Sequence, residues 1–205
     1  MDEIVKAAMA KWPNVPHCYG WLALDARGNW RMRDERCQAL GLTGDIIRHP
    51  TLLAFIARNY TCSDDGCWYF QNGPQRVYVD LAATPFIAHT TATGSFALHH
   101  TEQDFVPELV FMDRQGHLLL SSGNTLAQLD DRDLTECLTW LSLDHVTASA
   151  EDLLMWLDDT NNTGKLQLQP PGTHGLCLDV QRCEEHQLMH EFGYVARPRL
   201  ETVKQ

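Results

Sequence analysis

Apolar residues along this chain fall into short runs of two periods, and turn residues punctuate them at regular intervals. In residues 2–11, Val5 and Met9 lead to Trp12 at helical spacing behind Asp2, which can cap the first turn, and Pro13 stops the helix. After the loop from Pro13 to Tyr19, GWLALDARGNWRMRD alternates as strands do, predicting a β-hairpin that turns through Asp25-Ala26-Arg27-Gly28, with Gly28 free to take a positive φ. Pro50 then stands at a helix-start position, and Leu52, Leu53, Phe55 and Ile56 form a buried stripe. GCWYFQNGPQRVYVDL predicts a second hairpin turning at Asn72-Gly73, and Ile87 to His100 adds two strands around Gly94.

The pattern then recurs. ELVFMDRQGHLLL repeats the first hairpin, with Asp113 and Gly116 where Asp25 and Gly28 stood. Asp131 can cap a helix carrying Leu134, Cys137, Leu138 and Leu141, and KLQLQPPGTHGLCLDV turns at Pro171-Gly172. The offset is 88 residues for the aspartates and 99 between Gly73 and Gly172, and an extra helix, Ser149 to Leu157, absorbs the difference. Ser149 caps that helix, with Glu151 and Asp152 at its positive end. The expected fold is therefore α+β, with mainly antiparallel sheets in two diverged repeats of hairpin, helix, hairpin: residues 1–101 with the N-terminal helix, and residues 102–205 with the extra and C-terminal helices. A helix from Asp179 to Phe192 is expected to close the chain, before a polar tail that frays after Pro198.

Composition narrows the function classes. The chain carries a net charge of −11, and the acidity is local: residues 98–160 hold two Lys/Arg against thirteen Asp/Glu, whereas residues 1–60 hold eight against six. Such a surface repels a phosphate backbone, so no nucleic-acid partner is expected. Residues 1–12 lack the basic start and apolar run of a signal peptide, and no apolar stretch reaches the ~18 residues of a membrane span, so neither export nor a membrane partner is expected. Seven scattered cysteines, an odd number, fit reduced thiols in a cytoplasm better than a disulfide framework.

The segments WPNVPHCYGWLALDARGNW, IIRHPTLLAFIARNY and DDGCWYFQNGPQRVYVDLAATPF resemble a family of uncharacterised bacterial proteins known only as a domain of unknown function. Its pattern is a Trp-Pro and Cys-Gly opening, an Asp-Gly-x-Trp hairpin, an Arg-led apolar helix, an Asp-Gly-x-Tyr hairpin containing Pro, and an acidic strand ending in Pro-Phe. Trp12, Cys18, Gly20, Asp25, Gly28, Trp30, Arg48, Leu52, Phe55, Asp65, Gly66, Tyr69, Pro74, Pro85 and Phe86 match it, over residues 12 to 87. Where the family tends to have Thr-Pro-x-Glu, this chain has Gly73, Pro74, Gln75 and Arg76, so that carboxylate is missing. The resemblance implies two repeated α+β units and a part in signal transduction.

Four groups of side chains could carry chemistry. His17, Cys18 and Tyr19 lie between Pro16 and Gly20, but neighbours in an extended segment point opposite ways, so His17 cannot activate Cys18, and a packed thiol is the plainer reading. Cys62 and Cys67 flank a turn without a second close pair to complete a zinc site. Cys183, His186 and His190 fall within a 60° arc if residues 179–192 are helical, an exposed trio that is at most a weak metal site, so no metal and no cofactor is expected. Finally Arg27, Arg31, Arg33, Arg36, Arg48 and Arg58 surround Trp30; alternation puts Arg31 and Arg33 on one strand face and Trp30 and Met32 on the other. These arginines either hold an anionic ligand or answer the acidic stretch of the second repeat.

No nucleophile elbow, metalloprotease helix, phosphate loop or dinucleotide fingerprint is present. The sequence is read as a non-enzymatic binding or regulatory module for a small molecule or a protein partner, with Trp30, Arg31, Arg33, His17 and Tyr19 bordering the site. The alternative is a metal- or thiol-dependent enzyme using Cys18 or the Cys183, His186 and His190 group.

Overall fold

One tight turn occurs four times among the described residues and organises the strands. In Asp25–Gly28, Ser63–Gly66, Thr91–Gly94 and Asp113–Gly116, the glycine amide donates to the carbonyl three residues back, at 3.0, 3.0, 2.9 and 3.0 Å. Each glycine sits at φ between 73° and 83°, the left-handed region a side chain resists. This is a type I turn closed by a left-handed residue, the usual way to join two strands by three residues. The first residue's oxygen stabilises the turn in three of them: Asp25 Oδ1 accepts from the amides of Arg27 and Asn29, Asp113 Oδ1 from those of Gln115 and His117, and Thr91 Oγ1 from that of Ser95.

The structure, a computed structural model, describes residues 1–99, 101, 104–159, 163–173 and 175–200. The chain forms two compact units, Met1–Pro85 with Gly193–Gln205, and Phe86–Phe192. In order, the first unit comprises α1 (Glu3–Lys11), β1 (Cys18–Leu24), β2 (Trp30–Met32), α2 (Glu35–Leu40), β3 (Asp45–Ile46), α3 (Pro50–Arg58), β4 (Tyr60–Cys62), β5 (Trp68–Asn72) and β6 (Gln75–Leu81). Its six-stranded sheet runs β3-β2-β1-β6-β5-β4, with β1 and β6 parallel and the other pairs antiparallel. Leu22, Leu24, Trp30, Val79 and Leu81 are buried on one face of this sheet. Ile56 of α3 is buried too, and Phe55 of the same helix meets Phe70 edge-on at 5.3 Å.

The second unit comprises β7 (Phe86–Thr90), β8 (Phe96–Leu98), β9 (Asp104–Phe105), β10 (Leu109–Met112), β11 (Leu118–Ser122), β12 (Thr125–Leu129), α4 (Leu134–Leu138), β13 (Leu141–Leu143), β14 (Val146–Thr147), α5 (Ala150–Asp158), β15 (Leu166–Leu168), β16 (Leu178–Arg182) and α6 (Glu185–Glu191). Its sheet runs β14-β13-β15-β16-β10-β11-β12-β7-β8-β9. The core gathers Phe96, Leu118, Leu120, Trp140, Trp156 and Leu166 among others.

The fold is α+β with two mixed, mostly antiparallel sheets. The parallel pairs β1 with β6, β7 with β12 and β10 with β16 were not expected. In each, the last strand of a meander returns beside the first strand of the meander before it. Two other differences concern local pattern. Asp130, not Asp131, caps a short 3-10 turn (Asp131–Asp133) ahead of α4, and Leu141 belongs to β13, because Leu141-Ser142-Leu143 alternates and pairs with Leu166–Leu168. The expected helix over 179–192 is a strand followed by a short helix: Asp179 pairs with Gln167, Val180 with Val110, and α6 begins only at Glu185. The extra helix is present as α5 with a complete capping box between Ser149 and Asp152. Strands β7 and β8 pair within the second sheet, so the compact units divide after Pro85 where the sequence suggested residue 101. His100, at the end of an expected strand, His174, within the expected Pro171-Gly172 hairpin, and most of the expected fraying tail lie outside the described residues.

Candidate functional site

Register places three residues in one row across the first sheet: Ala23 stands opposite Arg31 in β2 and beside Asp80 in β6. Opposed residues share a face, so Arg31 and Asp80 project away from the apolar face of Leu22, Leu24 and Trp30. Arg33, two residues beyond Arg31, joins them. A cavity of about 240 Å³ opens on this face, lined by Arg31, Arg33, Arg197 and Arg199, by Asp25 and Asp80, and by Ala23, Leu42 and Ala82, with Leu24 and Leu81, whose side chains are buried on the other face, at its floor.

Local sequence explains how each group is held. Asp34 caps α2 by accepting from the Cys37 amide at 2.8 Å, and Gly41, at φ 64°, ends the helix. The following loop lies tight on β2: a Cβ on Gly44 would sit 2.3 Å from the Met32 carbonyl oxygen. That closeness lets Arg31 Nη1 donate to the Gly44 carbonyl at 3.0 Å and Arg33 Nε to the Leu42 carbonyl at 3.2 Å. Pro198 biases Arg197 to extended backbone. The Leu81 amide donates to the Ala196 carbonyl at 2.8 Å and Val195 bridges to Cys67, which fixes the C-terminal segment on the first unit.

The charges do not cancel. Arg31 Nε is 2.7 Å from Asp25 Oδ2. Burial by itself would raise the Asp25 carboxyl, but the amides of Asn29 and Arg27, the Arg31 guanidinium and the Asn29 side chain together hold it below the usual range. Asp80, whose side chain is 9% exposed, takes both Arg33 Nη1 at 2.7 Å and Arg199 Nη1 at 2.9 Å. Arg197 is exposed, and no carboxylate of a described residue pairs with it. Four guanidinium groups thus face two carboxylates, a local charge of +2 (four minus two) in a chain of −11.

Of the sequence-predicted residues, the cavity brings together Arg31 and Arg33. The carboxylates that answer them, Asp25 and Asp80, belong to the first unit and not to the acidic stretch 98–160. Trp30 is buried on the opposite face, edge-on to Tyr60 at 5.1 Å. Tyr19 stacks on Tyr78 at 4.7 Å and 7°, and His17 meets the same ring edge-on at 5.9 Å. Burial pushes the Tyr19 hydroxyl up to about 12 and lowers His17. These two residues form an aromatic group with Tyr69, over which Arg76 lies at 4.6 Å, and they do not line the cavity.

Cys183 precedes α6, so the helical arc with His186 and His190 does not form: the thiol is buried while both imidazoles are exposed. Burial, reinforced by Asp113 and Glu184, pushes Cys183 up to about 12, the reverse of what a nucleophile or metal ligand needs. Among the described residues, no group of three or more His, Cys, Asp or Glu could hold a metal ion, and no helix is long and apolar enough to cross a membrane. Sequence reasoning missed Arg197 and Arg199; the one available signal was Arg-Pro-Arg, two cations flanking the proline after which the tail was expected to fray.

The chain belongs to the family DUF2944, described as "Protein of unknown function (DUF2946)", which matches residues 1–199. Among solved structures it is similar to a DUF1285 family protein from Silicibacter pomeroyi DSS-3, at 12% identity and a TM-score of 0.47, over 92% of this chain and 98% of that one. No curated protein matches the chain.

Proposed function

We propose that this protein is a non-enzymatic binding module whose first unit takes up a small organic anion in the arginine-lined cavity, and that it serves a regulatory role in the bacterial cytoplasm. One observation carries the reading: a protein of net charge −11 gathers four guanidinium groups around one cavity and supplies two carboxylates to answer them. Clustered guanidinium groups repel one another, and a bound anion relieves that repulsion while accepting forked hydrogen bonds. Position supports the same reading, because Leu24 and Leu81 end the parallel strands β1 and β6, and ligands of open sheets favour the carboxyl ends of parallel strands.

We further propose that residues 20–81 and 108–180 are diverged copies. The order β3-β2-β1-β6-β5-β4 recurs as β12-β11-β10-β16-β15-β13, with β14 and α5 inserted, and both copies open on an Asp-x-x-Gly turn. The counterpart of the cavity lies at Met112, Arg182 and Cys183, at the ends of β10 and β16. Only two arginines, Arg114 and Arg182, line it. Such a division, one copy retaining a ligand site and the other presenting an acidic surface to a partner, suits the part in signal transduction implied by the resemblance.

The test is a thermal-shift screen of anionic metabolites against wild type and Arg197→Gln. A compound that raises the melting temperature of the wild type but not of the variant supports the proposal. Failure of the whole panel defeats it.

A further inference from the structure

We infer that the anion is a short aliphatic dicarboxylate; this rests on the proposed binding role of the same cavity and names its ligand class. Size comes first. At about 240 Å³ the cavity lies below the ~300–1,000 Å³ of sites for drug-sized ligands, so it admits a few carbon atoms and not a nucleotide.

Charge comes second. The Arg31–Asp25 pair is internally neutral, which leaves two separate positive centres: Arg197, and the Arg33–Asp80–Arg199 group, where two guanidinium groups share one carboxylate. Arg197 and Arg199 both line the cavity, two residues apart across Pro198 and so at most about 7 Å apart at Cα. Two cationic centres set apart in this way, with Ala23, Leu42 and Ala82 beside them, match two carboxylates joined by methylene groups better than one compact doubly charged group.

The third observation concerns backbone donors. Phosphate sites are typically lined by free amides at a helix start or in a nest. Around this cavity the amides of Asp25, Gly41, Leu42, Leu81 and Ala82 already donate to backbone carbonyls, and the helix that approaches it, α2, presents its C-terminal end. Recognition falls to guanidinium forks, which fit carboxylates in pairs.

The experiment is titration calorimetry of the full chain with malonate, succinate, glutarate and adipate, with butyrate and inorganic phosphate as the other arms. Expected is an optimum within the dicarboxylate series, with butyrate at least tenfold weaker, and at least a tenfold loss for Arg197→Gln at an unchanged melting temperature of the free protein. Equal affinity for butyrate and succinate, or binding of phosphate without the dicarboxylates, overturns the inference and leaves the anion-binding role standing. No heat in any arm, with no hit in the thermal-shift screen, removes both.

Discussion

Arg33 and Asp80, 47 residues apart in sequence, meet at 2.7 Å on the outer face of the first sheet, and the same carboxylate holds Arg199 from the far end of the chain. One side chain therefore ties β2, β6 and the C-terminal segment together. Removing one partner of a largely buried ion pair leaves a charge without an answer. Asp80→Ala is expected to destabilise the protein by about 3 kcal/mol in urea denaturation. Arg197→Gln, which breaks no ion pair among the described residues, should stay within about 0.5 kcal/mol of the wild type. Equal effects of the two changes would contradict this assignment of roles.

Glycine substitutions separate turn strain from close packing. Gly116, at φ 83°, has room for a methyl group: a Cβ there meets only Leu157 at 3.9 Å, so Gly116→Ala should cost about 1–2 kcal/mol, from the left-handed backbone alone. Gly66, at φ 77°, has the same conformation, but its Cβ would stand 2.2 Å from the Gly193 carbonyl oxygen, where the C-terminal segment crosses. Gly66→Ala should therefore cost more than about 3 kcal/mol, since backbone must move. Chemical denaturation of both variants gives the ranking, and a Gly116→Ala cost equal to that of Gly66→Ala would show that the segment is not held there.

The same contrast marks what the sequence could reveal. Turns of the Asp25–Gly28 kind, the capping box of Ser149 and the helix carrying Leu52 to Ile56 are local, and each was legible from neighbouring residues, although only Ile56 of the expected buried stripe is buried. Likewise, strand alternation around Trp30 put Arg31 and Arg33 on the correct face. The parallel return of β6 beside β1 joins residues more than fifty positions apart, and no local pattern encodes it. Arg199 finds Asp80 across 119 residues, so one of the cavity's four guanidinium groups lay in the tail after Pro198 that read as fraying. Residues 179–182 misled for a related reason. The segment's polar residues fit a helix, and only the partner strands β10 and β15 make it a strand.

Acid titration should expose Asp130. Burial would raise its carboxyl, but hydrogen bonds from the Arg132 side chain and amide, with the charges of Arg132 and His99, outweigh this and hold it at about 2, below the ordinary 3.8. A carboxyl depressed in the folded state contributes stability above its unfolded value, which is lost as pH falls through the folded one. The stability difference between wild type and Asp130→Asn should accordingly shrink between about pH 4 and pH 2. Its size should be at most about 2 kcal/mol, since the half-exposed Arg132 is screened by solvent. A difference constant across that range would show that Asp130 is not ion-paired in the fold.

Thiol reactivity follows burial. Burial, reinforced by Asp65, pushes Cys67 up to about 12, and burial, reinforced by Asp113, does the same to Cys183, so at pH 8 only about one part in ten thousand of either is thiolate. Cys177 is exposed. Brief alkylation of the native protein, read by peptide mass spectrometry, should modify Cys177 before Cys67 or Cys183. Modification of Cys183 first would revive a thiol-dependent activity.

The most direct measurement of the central claim is a nuclear magnetic resonance titration that follows the arginine side-chain Nε–H signals as succinate is added. The account predicts saturable shifts for Arg31, Arg33, Arg197 and Arg199, with the signals of Arg132 and Arg182 in the second unit unmoved. Shifts spread evenly over all arginines, or confined to residues outside the cavity, would contradict it.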